Sequence, residues 1–591
     1  MKKLILLSLT CFTAFAEESY PIAKLGFKYT QSHPEQIAIA DLGDIEVTLA
    51  LTPQGYVAVQ EAPQGKLVKV TLAALNQAGL SRYSKLALST ILEAAHNFFE
   101  SHRMAWAYIT LKQSPKEETV AEISIPTVAK VSTRASEHSY MQNSSYLDKQ
   151  KERIEANFPL KIADPSTGYP GAYVDPDALN NYLYTLNRHP GKRVDLEVGP
   201  VKTPDGVTLD FVITEERPWH LYLTATNNIP RVIDRWQESA GFMHTQLTGR
   251  DDILKLDYTT DSFDSYFTAN ASYEAPWGLS HGKRWSVSGT YNRFISAEFG
   301  LGSHFFHGTQ GIADFEFNGV LYQRKKLFLE GFGIMEYRHI HNREHFIYPD
   351  VMKNFLFPSV GLKCLELKSE SKVIASVQVE TTISNWFWDV KRRLDALGRR
   401  DLSPSWALLK GTVYWSFYIE PWISASIERM ANEFVFQSQI QYAFNFRLIP
   451  QLEGILGGVS TVRGYPQSDV SGDNLYLGSL EYRLHIPQLL KPSPESKTKF
   501  LGKEFRYAPP EARGRADWDL VLRGFFDIGK TTNNRPVRGE KNAVVEGVGL
   551  GADFVLWSNL VLKYDWGIAL KSAHGTHKGH TQSYFSAVMM Y

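Results

Sequence analysis

The chain has 591 residues, with 63 basic and 63 acidic side chains and a formal net charge of zero. That length leaves room for several domains, and the balanced charge argues against a nucleic-acid partner. Cys11 and Cys364 are the only cysteines. No stretch after the N-terminus approaches 18 uncharged apolar residues, so a disulfide framework and a transmembrane helix are both excluded.

Met1-Lys2-Lys3 is followed by an apolar run from Leu4 to Phe15 and then by Ala14-Phe15-Ala16. A basic start, a short apolar core and small residues before the cut describe a secretory signal peptide, residues 1–16. Cleavage leaves Cys364 as the one cysteine of an exported, slightly acidic chain. Residues 17–60 hold strand-like runs (IEVTLAL, YVAVQE) and form an N-terminal segment to which the sequence assigns no fold.

Residues 61–136 mix helix and strand. Leu88, Ile91, Leu92, Ala95 and Phe98 or Phe99 recur at helical spacing over 81–103, and strands are expected at 106–111 and 120–131. A second α+β unit, 137–217, carries a charged helix over 147–157. A further helix is opened by Asp175 as N-cap with Pro176 in its first turn, and Leu179, Tyr182, Leu183 and Leu186 make its apolar stripe. Two strands, 193–198 and 207–214, close this unit.

From residue 218 to 591 the helical period gives way to alternation of apolar and polar residues. Phe436, Ser438, Ile440, Tyr442, Phe444 and Phe446 oppose Gln437, Gln439, Gln441, Asn445 and Arg447. Leu560, Leu562, Tyr564, Trp566 and Ile568 oppose Lys563 and Asp565. Aromatic-rich apolar faces, charged opposite faces and export together predict a mainly β fold: an antiparallel transmembrane β-barrel with lipid outside and a polar lumen. Short linkers such as QRKK (323–326) and long polar ones such as 338–354 and 389–405 predict short turns at one end and long loops at the other.

Three motifs in this region match enzyme or metal signatures and fail on context. Gly524 to Thr531 fits the spacing of a phosphate-binding loop, but Thr532 to Pro536 form a turn where a helix is required. Gly278-Leu279-Ser280-His281-Gly282 fits the serine-hydrolase elbow, but strands flank it on both sides, as in a hairpin turn. His574, His577 and His580 lie in a polar loop and are assigned no metal. The sequence therefore predicts no catalytic residue, no cofactor and no nucleotide. In the strand 517–529, Asp527 falls on the face away from Leu520, Leu522, Phe526 and Ile528, and so points into the lumen. By the same alternation Glu481 and Arg483 point inward, opposite Tyr476, Leu480 and Tyr482.

The stretch 455–487 contains Gly457-Gly458, then Val462-Arg463-Gly464-Tyr465, then Gly472-Asp473, then Glu481 and Arg483; Phe525, Asp527 and Gly529 follow as F-x-D-x-G. Both motifs, in this order and within a C-terminal barrel, resemble the two-partner-secretion outer-membrane transporters, the hemolysin secretion/activation family. These belong to the wider superfamily that includes BamA and TamA. The resemblance covers most of the chain after residue 61. It implies two periplasmic POTRA domains, 61–136 and 137–217, and a 16-stranded barrel, 218–591, with a loop at about 450–473 folded into the lumen. No N-terminal plug helix is placed. It also implies that Arg463 of the loop meets Asp527 of the wall. About seventeen candidate strands follow Pro218, whereas single-chain bacterial barrels have even numbers. Merging one pair within 403–447 places the loop after the eleventh of sixteen.

The implied role is a protein-conducting pore in a bacterial outer membrane, with the POTRA domains in the periplasm. It captures an unfolded client polypeptide and moves it to the cell surface or medium without ATP. Its implied partners are the secreted client, outer-membrane lipid, and the periplasmic chaperones and barrel-assembly machinery needed for its own insertion. The alternative is an insertase like BamA or TamA, against which two POTRA units rather than three or more argue.

Overall fold

A computed structural model describes residues 20–22, 24–77, 81–113, 118–201, 205–228, 236–261, 266–297, 305–343, 350–387, 394–424, 429–495, 497–512, 514–557 and 559–591. The signal-peptide expectation therefore lies outside the described residues. The chain divides into two compact units, one comprising residues 1–188 and 192–214 and the other residues 189–191 and 215–591.

The first unit contains two α+β halves whose boundaries differ from those read in the sequence. Strand Lys24–Tyr29 pairs in parallel with Glu118–Ser124, which pairs antiparallel with Tyr108–Gln113. A second sheet runs in the order Tyr20–Ile22, Ser81–Tyr83, Gly55–Val57, Glu46–Thr52, Lys66–Thr71. Residues 24–60, given no fold by the sequence, thus complete the first half. Leu25, Val47 and Leu49 pack with Ala87, Leu88, Ile91 and Ala95 of helix Lys85–Ser101. Ser84 caps that helix, its Oγ accepting from the Ala87 N–H.

In the second half, Thr127–Ala135 pairs in parallel with Gly206–Glu215. The expected boundary at 136/137 is therefore displaced to between Ser124 and Thr127. Parallel pairing joins strands far apart in sequence, which local periodicity does not reveal. Asp175 Oδ1 accepts from the N–H groups of Asp177 and Ala178, so the helix Pro176–Leu186 starts where its cap residue predicts. Asn187 exchanges two hydrogen bonds with the Val194 backbone, tying the end of that helix to the following strand.

In the second unit, sixteen strands among the described residues close into an antiparallel barrel in chain order, from Trp219–Thr226 to Thr581–Met590. The seam pairs Tyr222 with Met590 through Thr226 with Ser586. Leu223, Leu362, Leu480, Leu522 and Leu550 are exposed on the outer face, while Glu433, Gln441, Glu481, Asp527 and Asp565 are buried. An apolar exterior around a charged interior is the pattern of a barrel solvated by lipid.

The sequence split one strand too many at 421–447. Residues Glu420–Ile423 form a short helix, and a single strand, Asn432–Tyr442, follows. It ends where Phe444 and Asn445 turn the chain through positive φ, so the alternation expected to continue to 447 leaves the wall at Ala443. The connection 443–473 therefore follows the eleventh strand. Turn lengths also depart from expectation. Connections after even-numbered strands are brief at 325–326 and 557–559, but the one at 486–517 is long and carries its own hairpin, Lys497–Phe500 with Lys503–Arg506.

At the opposite end, Trp406, Leu394, Leu397, Leu448 and Ile449 from two connections pack on Ile340, Phe355 and Phe357 of the wall. This is a hydrophobic cap built from loops.

Candidate functional site in the barrel lumen

The Gly524 to Thr531 stretch is continuous strand, part of Trp518–Thr532. Arg523, Phe525, Asp527 and Thr531 are buried inward, while Leu522, Phe526 and Ile528 are exposed outward. The geometry of a phosphate-binding loop is therefore not present. At 278–282 the Ser280 Oγ accepts from the N–H groups of Gly282 and Lys283 inside a hairpin turn. His574, His577 and His580 do not form a metal-ligand group among the described residues.

The connection after the eleventh strand turns back into the lumen and brings Arg463 against Asp527. Arg463 Nε donates to Asp527 Oδ2 at 2.8 Å and Nη2 to Oδ1 at 2.9 Å, a two-pronged fit of a planar cation to a carboxylate. The Arg463 backbone N–H adds a third bond to Oδ2 at 3.0 Å. Asp527 is fully buried, and Ser479 Oγ donates to it at 2.6 Å. The remaining edge of the guanidinium, Nη1, donates to Glu481 Oε2 at 2.8 Å and lies 3.5 Å from Asp565 Oδ1. One face covers the Phe525 ring at 3.4 Å from its centroid, a cation–π contact in a desolvated site. Breaking a buried pair of this kind by deleting one partner costs about 3–5 kcal/mol.

The other residues of the two motifs hold the loop in place. Gly464 has φ of +101°, and a Cβ there would lie 2.6 Å from the Ile568 carbonyl carbon. Its N–H donates to the Tyr584 hydroxyl, and its carbonyl lies 3.0 Å from His580 Nδ1. Tyr465 is fully buried and its hydroxyl reaches the carbonyls of Glu546 and Lys571. Val462 sits in an apolar cluster with Leu456, Tyr465, Val470, Leu477 and Val545. Gly529 keeps the wall low beneath this cluster, since a Cβ would stand 2.6 Å from Leu456 Cδ1.

Glu481 joins the Arg463 site directly, while Arg483 reaches it through Glu481, donating from Nε to Oε1 at 2.6 Å, and also lies 3.5 Å from Glu433. Residues that the sequence reading left without a role complete the network. Arg523 bonds Asp565 at 3.1 Å and pairs with Asp553 at 2.7 Å. His485 contacts Asp519 at 2.8 Å. Alternation had set Asp565 on a polar face, which was the one available signal for it. Acidic and basic groups thus interleave down the wall on the strands that face the loop.

A second ionic cluster roots the same loop at its outer end. Arg399 grips Asp473 with both terminal nitrogens, at 2.6 and 3.0 Å, and its Nε donates to Glu540 at 2.8 Å. Arg447, fully buried, donates to both oxygens of Glu540. Burial opposes ionisation of Glu540, but the bonds from Arg447 and Arg399 outweigh it and hold its carboxyl down to about 2.

No protein-family model matches the sequence, and no curated protein matches it. Solved structures do. CdiB from Escherichia coli superposes with a TM-score of 0.63 at 12% identity, over 98% of this chain and 92% of that one. CdiB from Acinetobacter baumannii gives 0.57 at 13%, over 98% and 91%. At such identities the likeness speaks for architecture rather than for activity. Over nearly its whole length the chain has the fold of the CdiB proteins, a closed sixteen-stranded barrel preceded by α+β units.

Proposed function

We propose that the chain is a polypeptide-translocating pore of a bacterial outer membrane, of the two-partner-secretion type. Its α+β units lie in the periplasm and receive an unfolded client, which crosses the lumen in extended form. The observation that carries this reading is the Arg463–Asp527 fork inside a barrel whose wall is shaped around one inward loop. A passive diffusion channel has no use for a charged fork that ties an inward loop of its own chain to the wall. The architecture shared with the CdiB proteins, a sixteen-stranded barrel after α+β units, is compatible with this assignment.

Exposed strand edges in the periplasmic units offer backbone hydrogen bonds to an extended client without demanding a particular sequence. Directionality comes from folding of the client once outside. Comparing the secreted proteins of cells with and without this chain tests the reading. One large polypeptide is expected to disappear from the medium, and Arg463→Ala or Asp527→Ala to lower its export while the barrel still assembles. A general fall in outer-membrane barrel proteins, with the medium unchanged, would replace this reading with the insertase alternative. Wild-type secretion by both variants would remove the latch from the mechanism.

A further inference from the structure

The long connection 486–517 lies at the end of the barrel where the first strand begins, because it follows an even-numbered strand. Its hairpin pairs Lys497 with Arg506 through Phe500 with Lys503, and Leu501-Gly502 forms the two-residue turn. Both turn residues have positive φ, 49° for Leu501 and 78° for Gly502. Such turns favour Asn-Gly, and a leucine there is held in the left-handed region that residues with a Cβ rarely adopt. That leucine is 78% exposed, the most exposed large apolar side chain among the described residues.

An isolated two-stranded hairpin is marginal in water, and this one is fixed at its base. Phe500 and Phe505 pack on Trp557 of the neighbouring turn, with ring centroids at 5.6 and 5.8 Å. Trp518 Nε1 donates to the Tyr507 carbonyl at 2.9 Å. Trp518 shares a strand face with Leu522, Phe526 and Ile528, which are exposed to lipid, so the hairpin is rooted on the outer side of the wall. Lys497, Lys499 and Lys503 are exposed along the hairpin, and Lys503 approaches the Trp557 ring at 6.0 Å. Glu504 is the one acid on the two strands and pairs with Lys497 at 3.0 Å.

We propose that the hairpin Lys497–Arg506 is a membrane-surface anchor. Leu501 enters the headgroup region of the phospholipid leaflet at this end of the barrel, and the lysines bind lipid phosphates. The occupant is lipid rather than protein for three reasons on the molecule itself: Trp518, on the strand face that carries the barrel's apolar exterior, bonds the hairpin's root, aromatic rings gather beside it, and the hairpin carries more cations than its one acid can neutralise. The inference rests on the barrel spanning a membrane and is independent of any client.

The test uses the full mature chain in nanodiscs of phosphatidylethanolamine and phosphatidylglycerol, with Cys364→Ser and an NBD fluorophore on Leu501→Cys. Doxyl-labelled lipid is expected to quench the fluorophore while aqueous iodide does not. Lys497→Glu, Lys499→Glu and Lys503→Glu together are expected to reverse both results, each lysine shifting the inserted-to-free ratio about fivefold. Gel migration of the folded barrel checks that the variants assemble. Quenching by iodide with no effect of doxyl lipid would overturn the proposal. Shielding from both quenchers would also overturn it, because it assigns the tip to a protein contact.

Discussion

Replacing Asp527 with alanine removes the acceptor for two guanidinium N–H groups and for the Arg463 backbone N–H. Arg463 keeps Glu481 at 2.8 Å, so the cost belongs at the lower end of the range for breaking a buried pair, about 3 kcal/mol. That is a factor of about a hundred in the ratio of docked to undocked loop. Val462, fully buried beside Arg463, supplies the reporter. With Val462→Cys in a Cys364→Ser background, a maleimide reacts only when the loop leaves the wall. Its rate then follows the undocked fraction, provided docking is fast relative to labelling. Asp527→Ala is expected to raise the rate about a hundredfold. Glu481→Gln, which weakens one bond, is expected to raise it less. Equal rates in Asp527→Ala and its parent would refute the argument, since apolar contacts of Leu456, Val462 and Tyr465 would then hold the loop unaided.

Gly464→Ala is expected to undock the loop even with both ionic partners intact. The new Cβ meets the backbone of Ile568 and Ala569, which cannot move aside, and φ of +101° is closed to alanine; the same labelling assay reads it. Trp406→Ala, which empties the cap's largest fully buried side chain, is expected to cost about 3–5 kcal/mol and to expose residues 382–406 to protease, leaving barrel migration unchanged. The cap should also respond to acid. Glu540 is held down to about 2 in the folded state, whereas a glutamate in an unfolded chain titrates near about 4.3. Its stabilising contribution is therefore fully present above the unfolded value and is lost as pH falls toward 2. Protease cleavage of the cap is expected to be flat from neutral pH down to about 5 and to rise below about 4, and Glu540→Gln to flatten that response.

The barrel was legible in the sequence because each wall strand meets lipid on one face and charge on the other, and that contrast survives in single segments such as Leu560 to Ile568. Local cues also located Asp175 as a cap, and face parity alone set Asp527 inward. What stayed hidden depends on partners distant in sequence. Lys24–Tyr29 belongs to a sheet only because Glu118–Ser124 lies beside it. Arg399 and Glu540 are unremarkable loop residues until Asp473 and Arg447 reach them across the barrel mouth. The alternation at 443–447 misled because Phe446 and Arg447 are drawn into the cap rather than the wall.

The strength of the latch bears on what can drive a polypeptide past it. If a client shares the lumen with the loop, it must displace Arg463 from Asp527, at about 3–5 kcal/mol. One ordinary domain folding outside the cell releases about 5–15 kcal/mol. The two are close enough that a client's own stability decides whether the loop is kept aside. Clients carrying graded destabilising substitutions should therefore be exported in order of their folding free energy, with a steep fall once that energy approaches the latch. In Asp527→Ala the loop is held about a hundredfold less tightly, so export, though lower at the start, should depend on client stability with a shallower slope. Secretion measured for the same client series in both backgrounds decides the matter: identical slopes mean that the loop is not what client folding works against, and that the Arg463 fork serves assembly of the barrel instead.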